Sequence, residues 1–139
     1  MSSVSGVFVN QRTEIERVVE FAERFGDEHQ LAAEVVMTIH LVLDEVVANI
    51  INHGYDDTAE HQIRVTLALD GSELGIRVED DGRAFDPLQA PPPDLNLPLE
   101  ERPVGGLGIH IVRSVMDAVE YQRSGNHNVL IMKKAIGRT

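Results

Sequence analysis

An acid and an amide stand four residues apart within one long apolar stretch of this chain. The segment reads Asp44-Glu45-Val46-Val47-Ala48-Asn49, and a spacing of four puts Glu45 and Asn49 on one face of a helix, one turn apart. An amide oxygen can bind a hard cation such as Mg²⁺, and a carboxylate can accept a proton from a substrate. The pair therefore predicts a site for Mg²⁺ and a general base, although an exposed glutamate and a helix-capping asparagine would give the same pattern.

A second carboxylate, Asp80, follows a segment in which Leu74, Ile76 and Val78 alternate with polar residues. In a strand this period of two directs Asp80 to the same inward face. A buried carboxylate without a partner is disfavoured, so this acid needs a hydrogen-bond donor, and the exocyclic amine of adenine is one. The alternative is that the strand has ended by Asp80 and that Asp81-Gly82 is simply a turn.

A third candidate is the glycine-rich segment Gly105-Gly106-Leu107-Gly108, which precedes apolar residues at helical spacing: Ile109, Val112, Met116 and Val119. Free N–H groups at the start of a helix are suited to phosphate oxygens. Glycine clusters are also common at the ends of flexible loops. All six prolines lie just before this segment, between Pro87 and Pro103, which predicts a long irregular loop of the kind that often forms a lid.

The rest of the chain must supply the elements that position these residues. Val4 to Val9 predicts a strand, followed by a helix capped by Asn10 or Thr13 that runs to about Arg24 and is broken by Gly26-Asp27. Apolar residues from Leu31 to Ile50 step by three and four and predict a long amphipathic helix. We expect Gly54 to end this helix with a positive φ.

Two hairpins complete the predicted order. His61 to Leu69 alternates in polarity, and Asp70-Gly71 predicts a tight turn into the strand that carries Asp80. Val119 to Arg123 and Val129 to Lys133 predict a closing hairpin.

Composition excludes several classes of function. A chain of 139 residues is expected to form one domain, and it has no cysteine for disulfides, thiolate zinc sites or a cysteine nucleophile. The net charge of −11 opposes direct nucleic-acid binding. We find no P-loop, no secretion signal and no stretch of about 18 apolar residues, so we expect a cytoplasmic protein without membrane contact.

The order of these signals resembles the GHKL ATP-binding fold of gyrase, Hsp90, histidine kinases and MutL. The resemblance rests on the helical Glu45-x-x-x-Asn49, on Asp80-Asp81-Gly82, on the lid at about residues 83–107 and on Gly106-Leu107-Gly108. It covers nearly the whole chain, and it is closest to the stand-alone anti-sigma factor serine kinases of the RsbW and SpoIIAB type. It implies a single α+β domain over residues 1–139, a two-layer Bergerat sandwich whose mixed, mostly antiparallel sheet has helices on one face.

The resemblance also implies a role for each matching residue. Asn49 would coordinate Mg²⁺, and Glu45 would be the base acting on a substrate hydroxyl. Asp80 would bind the adenine amine of ATP, and Gly82 would let the backbone approach the base. Gly106, Leu107 and Gly108 would surround the phosphates as the lid closes.

Two positions depart from the family pattern. Ala84 stands where the family has a second glycine after the aspartate. In the last hairpin, where many members have a threonine near the adenine, this chain has Asn126, His127 and Asn128, so that contact is unassigned.

The implied partners are a STAS-domain anti-sigma factor antagonist, phosphorylated on serine or threonine, and a sigma factor or other regulator. A homodimer formed through the first helix and the leading strand is a further expectation. One alternative is a nucleotide-sensing binding module that captures a regulator without phosphorylating it. The catalytic fragment of a histidine kinase is less favoured, because only ten residues precede the first predicted helix. A metal hydrolase built on His40 and Asp44 lacks a third ligand.

Overall fold

The computed structural model describes residues 2–84, 86, 88 and 106–137, with the backbone alone for 106–108. Strand β1 (Ser2–Val9) leads through a 3-10 helix (Arg12–Glu14) into helices α1 (Ile15–Glu28) and α2 (Ala33–His53). Strands β2 (Gln62–Asp70) and β3 (Glu73–Asp80), helix α3 (Gly106–Val115) and strands β4 (Ala118–Ser124) and β5 (His127–Ala135) follow. Most of the predicted lid lies outside the described residues.

The five strands form one sheet in the order β1-β2-β3-β5-β4. Each pairing of neighbouring strands is antiparallel, so the described sheet is not mixed as the resemblance implied. Both predicted hairpins are confirmed. Their turns contain Gly71 at φ +61° and Gly125 at φ +60°, a backbone conformation that glycine adopts without a steric penalty.

One face of the sheet packs against the helices and forms the core. The predicted alternation is confirmed, because Ile63, Val65, Leu67 and Leu69 of β2 and Leu74, Ile76 and Val78 of β3 are all buried. They join buried side chains of α1, α2 and α3 in a single cluster that includes Phe25, Leu43 and Val112. The expected α+β fold with helices on one face of the sheet is therefore confirmed.

The junction between α1 and α2 differs from the sequence prediction. Helix α1 continues through Gly26-Asp27 to Glu28, and the chain reverses at Gln30, the single non-glycine residue with positive φ in the described part of the chain (φ 53°). Gly26 is buried, and a Cβ atom there would lie 2.5 Å from Cγ2 of Val36. This glycine therefore permits close packing of two helices instead of ending one.

Helix α2 ends immediately before Gly54 as predicted, but three other details of the helix ends differ from the prediction. No side chain caps α1, because the Asn10 side chain is used elsewhere, where its Oδ1 accepts a hydrogen bond of 2.8 Å from the backbone N–H of His61. Gly54 follows α2 with φ −82° and so does not adopt the left-handed conformation. Helix α3 ends at Val115, and Val119 belongs to β4, which begins at Ala118.

Candidate active site

Helix α2 brings Glu45 and Asn49 to one cleft. Both side chains are partly buried and line this cleft, one turn apart on the same face, and His53 continues the row by another turn. Asn49 does not cap the helix, which continues to His53. The capping interpretation is therefore excluded, and the acid and the amide open onto the same space.

Strand β3 directs Asp80 into that cleft from the opposite side. Asp80 is the last residue of the strand and is 6% exposed, so the strand has not ended before it. Its Oδ1 accepts hydrogen bonds from the backbone N–H of Gly82 at 2.8 Å and from Nδ2 of Asn128 at 3.1 Å. Burial raises the pKa of Asp80 above its ordinary value, an effect that these two donors oppose.

The turn after Asp80 is attached to the C-terminal end of α2. The N–H of Arg83 donates to the carbonyl of Gly54 at 3.0 Å, and Nε of Arg83 donates to the carbonyl of His53 at 3.0 Å. A Cβ atom on Gly82 would lie 2.6 Å from the Gly54 oxygen, so glycine is required here by the approach of α2. These bonds fix the turn immediately before Ala84.

Apolar side chains from four elements form the walls between these polar groups. Val46 and Ile50 of α2, Val78 of β3, Ile109 and Val112 of α3 and Leu130 of β5 all line the cleft. An apolar lining with a few convergent polar groups is typical of a small-molecule site.

Helix α3 presents its first turn to the same region. It begins at Gly106, so Gly106, Leu107 and Gly108 form its N-terminal turn, while Gly105 lies outside the described residues. Ile109 and Val112 of the same helix line the cleft, which places the start of α3 beside it. The first N–H groups of a helix have no partner within it, so these groups are suited to phosphate.

Asn128 belongs to the site but was not assigned from the sequence. It is 8% exposed, pairs in register with Asp80 and lines the cleft. A signal for it was present, because Asn128, Leu130 and Met132 share one face of β5 by the period of two. The predicted strand began at Val129, two residues after the actual start of β5 at His127, and therefore did not include Asn128.

A histidine outside the cleft contacts the turn that follows Asp80, through the side chain of Asp81. His61 contacts Oδ1 of Asp57 through Nε2 at 2.8 Å and Oδ1 of Asp81 through Nδ1 at 3.3 Å. Its ring stacks on Tyr55 with the centroids 4.1 Å apart. The hydrogen bond to Asp57 is the main cause that raises the pKa of His61.

The hydrolase alternative finds no support in the described part of the chain, where no group of three or more His, Asp and Glu side chains could hold a metal ion. His40 lies 3.9 Å from Glu23, and Asp44 is exposed. The amide oxygen of Asn49 would be one oxygen ligand for Mg²⁺, and phosphate oxygens of a bound ligand would supply others. Among the described helices, none is both long and apolar enough to cross a membrane.

Comparison with known proteins gives a family and several relatives. The family model described as Histidine kinase-like ATPase domain matches residues 8–134. The serine/threonine-protein kinase BtrW of Bordetella bronchiseptica is 33% identical over 101 residues, which are 73% of this chain and 71% of the relative. The serine-protein kinase RsbW of Bacillus cereus is 29% identical over 117 residues, 81% of this chain and 69% of the relative.

Solved structures share the fold at low sequence identity. The RsbU and RsbW domains of a Mycobacterium tuberculosis protein match with a TM-score of 0.72 and 14% identity. That match covers 100% of this chain, which spans about a third of the other chain (34%). The Acinetobacter baumannii histidine kinase AdeS matches with a TM-score of 0.53 and 14% identity, over 99% of this chain and 70% of the other.

Proposed function

The chain belongs to the histidine kinase-like ATPase domain family and is a protein-serine/threonine kinase, and we propose that it transfers the γ-phosphoryl group of ATP to a STAS-domain anti-sigma factor antagonist. In this proposal it also sequesters a sigma factor or another regulator, so that phosphorylation of one partner controls binding of the other. The observation that carries the proposal is the buried carboxylate of Asp80 in an apolar cleft onto which Glu45 and Asn49 also open.

The apolar end of the cleft is suited to a purine ring. A carboxylate accepts but does not donate hydrogen bonds, so ionised Asp80 matches the exocyclic amine of adenine. Val78 and Leu130 lie on the same side of the cleft as Asp80, on neighbouring strands. Burial of the base against such side chains would supply binding free energy, and the amine would supply selectivity.

The phosphates would lie between α2 and the start of α3. Backbone N–H groups of Gly106, Leu107 and Gly108 would bind the phosphate oxygens, and Asn49 would provide one oxygen ligand to Mg²⁺. When bound, Mg²⁺ neutralises phosphate charge. The chain has only two lysines for this purpose, and Nζ of Lys134 donates to the carbonyl of Val115 at 2.8 Å. Lys134 is therefore used within the fold.

Glu45 would act on the acceptor hydroxyl. It stands one turn before Asn49 on α2, and its carboxylate would accept the hydroxyl proton as the oxygen attacks phosphorus. Phosphoryl transfer needs little covalent chemistry from the protein beyond this, because alignment and charge neutralisation provide most of the acceleration.

Transfer of radiolabel from ATP to a STAS-domain antagonist tests this proposal. Glu45→Gln should abolish labelling and leave ATP affinity unchanged, because the variant removes the base and no ligand of the nucleotide. Asp44→Asn is the matched control, since Asp44 is the adjacent, exposed acid and its loss should leave labelling intact. Labelling that survives Glu45→Gln would exclude Glu45 as the base.

A second candidate function is nucleotide-dependent binding of a regulator that the chain captures without phosphorylating it. The observation that favours it is Ala84 in place of the family's second glycine. Nucleotide-dependent capture of the regulator, together with no transfer to any STAS-domain antagonist tried, would support this function over the first. Either function requires ATP and a transcription regulator, so both predict a cytoplasmic protein. We also propose a homodimer formed through α1 and β1.

A further inference from the structure

Three side chains of the β4–β5 hairpin form a hydrogen-bond network beside the turn that follows Asp80. We call Tyr121, Arg123 and Asn128 the hairpin clamp. Nη1 of Arg123 donates to the carbonyl of Gly82 at 2.9 Å, and Nδ2 of Asn128 donates to the carbonyl of Arg83 at 2.9 Å. The clamp therefore holds the turn from the side opposite α2.

The amide of Asn128 can adopt only one orientation in this setting. Its Oδ1 accepts from the hydroxyl of Tyr121 at 2.6 Å and from Nη1 of Arg123 at 3.1 Å. Its Nδ2 faces the Asp80 carboxylate and the Arg83 carbonyl, which are both acceptors. A flipped amide would set oxygen against oxygen at both places, so Tyr121 and Arg123 determine that Asn128 donates to Asp80.

This donation determines which atom of Asp80 can meet a ligand. Oδ1 already accepts from Gly82 and Asn128, whereas Oδ2 has no hydrogen-bond partner among the described residues. Donors to a carboxylate favour its charged form, which is an acceptor only. The clamp thus orients Asp80 and presents one free acceptor atom to the cleft.

We propose that the hairpin clamp makes the site selective for a purine with an amino group at position 6 over a purine with an oxo group there. An oxo group would meet the Oδ2 acceptor with an acceptor of its own, while an amino group would donate to it. Tyr121, Arg123 and Asn128 are positioning residues, because they act on the base through Asp80. This inference rests on the proposed adenine nucleotide site.

Calorimetric titration with ATP and with inosine triphosphate tests the inference, since the two purines differ at position 6. The unaltered protein should prefer ATP. Two variants weaken the clamp: Asn128→Leu removes the donor, and the double variant Tyr121→Phe/Arg123→Met removes both partners of Oδ1 while Asn128 remains. Each should weaken ATP binding about tenfold, the loss expected for one hydrogen bond to a charged group, and leave inosine triphosphate binding unchanged.

The matched control is Lys133→Met, which removes one cation from an exposed position of β5 and should not change the ratio of the two affinities. The melting temperature of each variant reports on folding, and the double variant carries the test if Asn128→Leu does not fold. If the clamp variants lose affinity equally for both nucleotides, so that the ratio of the two affinities is unchanged, the proposed role of the clamp is overturned. Failure of the unaltered protein to bind either nucleotide would instead overturn the proposed function, and the inference with it.

Discussion

Gly54 and Gly82 approach so closely that a Cβ atom on Gly82 would lie 2.6 Å from the carbonyl oxygen of Gly54. The end of α2 and the turn after β3 are thereby joined at one point, where the N–H of Arg83 also donates to the same oxygen at 3.0 Å. The elements that carry Asn49 and Asp80 are held together by backbone contacts that leave no room for a side chain.

We expect Gly82→Ala to destabilise the protein by about 1–3 kcal/mol, the usual cost of inserting a group into a packed site. The atom that the new Cβ would meet is the carbonyl oxygen of Gly54, which cannot move away without stretching its hydrogen bond to the N–H of Arg83. Urea unfolding measures the change. Gly75→Ala is the control, because a Cβ there would be 3.8 Å from its nearest neighbour, and we expect it to be neutral. Equal stability of the two variants would contradict the close approach.

Asp80 should link stability to pH. Burial raises the pKa of this acid above its ordinary value of 3.8, so the folded protein favours the neutral form. Its contribution to stability is fully present below pH 3.8 and is lost as the pH rises through the raised pKa. We therefore expect the stability of the unaltered protein relative to Asp80→Asn to fall across that window.

Affinity for ATP should change in the opposite direction over the same pH window, because only charged Asp80 is a pure acceptor for the adenine amine. Unfolding and nucleotide titrations at matched pH values measure both effects, and Asp80→Asn should show weak binding without this dependence. A stability difference that does not vary with pH would contradict the raised pKa.

His61 should give a second pH effect outside the cleft. Its hydrogen bond to Asp57, and then that to Asp81, raises its pKa above 6.5. Its contribution is fully present below pH 6.5 and is lost as the pH rises through the raised pKa, and solvent screening limits it to about 1 kcal/mol or less. Comparison of unfolding free energies with His61→Gln measures it. An NMR titration that gives His61 a pKa at or below 6.5 would refute this prediction.

The sequence predicted what depends on local periodicity. The period of two in β2 and β3 identified their buried faces and directed Asp80 inward, and the helical period identified α2 with Glu45 and Asn49 on one face. Such patterns are visible because burial repeats along the chain.

Features that depend on contacts between distant residues were missed. Gly26 has the appearance of a helix break in the sequence, and only the proximity of Val36 shows that it is a packing position. The orientation of the Asn128 amide depends on Tyr121 and Arg123 across the hairpin and on Asp80 in another strand. No spacing within one segment encodes these relationships.

Helix α2 also sets the spacing between the groups proposed to bind the two ends of the nucleotide. Its C-terminal end, at His53 and Gly54, anchors the turn that follows Asp80, while Asn49 and Glu45 lie four and eight residues before His53. At 1.5 Å per residue these positions are about 6 and 12 Å along the helix axis. A ligand bound by its base at that end and extended along the helix would therefore pass Asn49 before it reached Glu45.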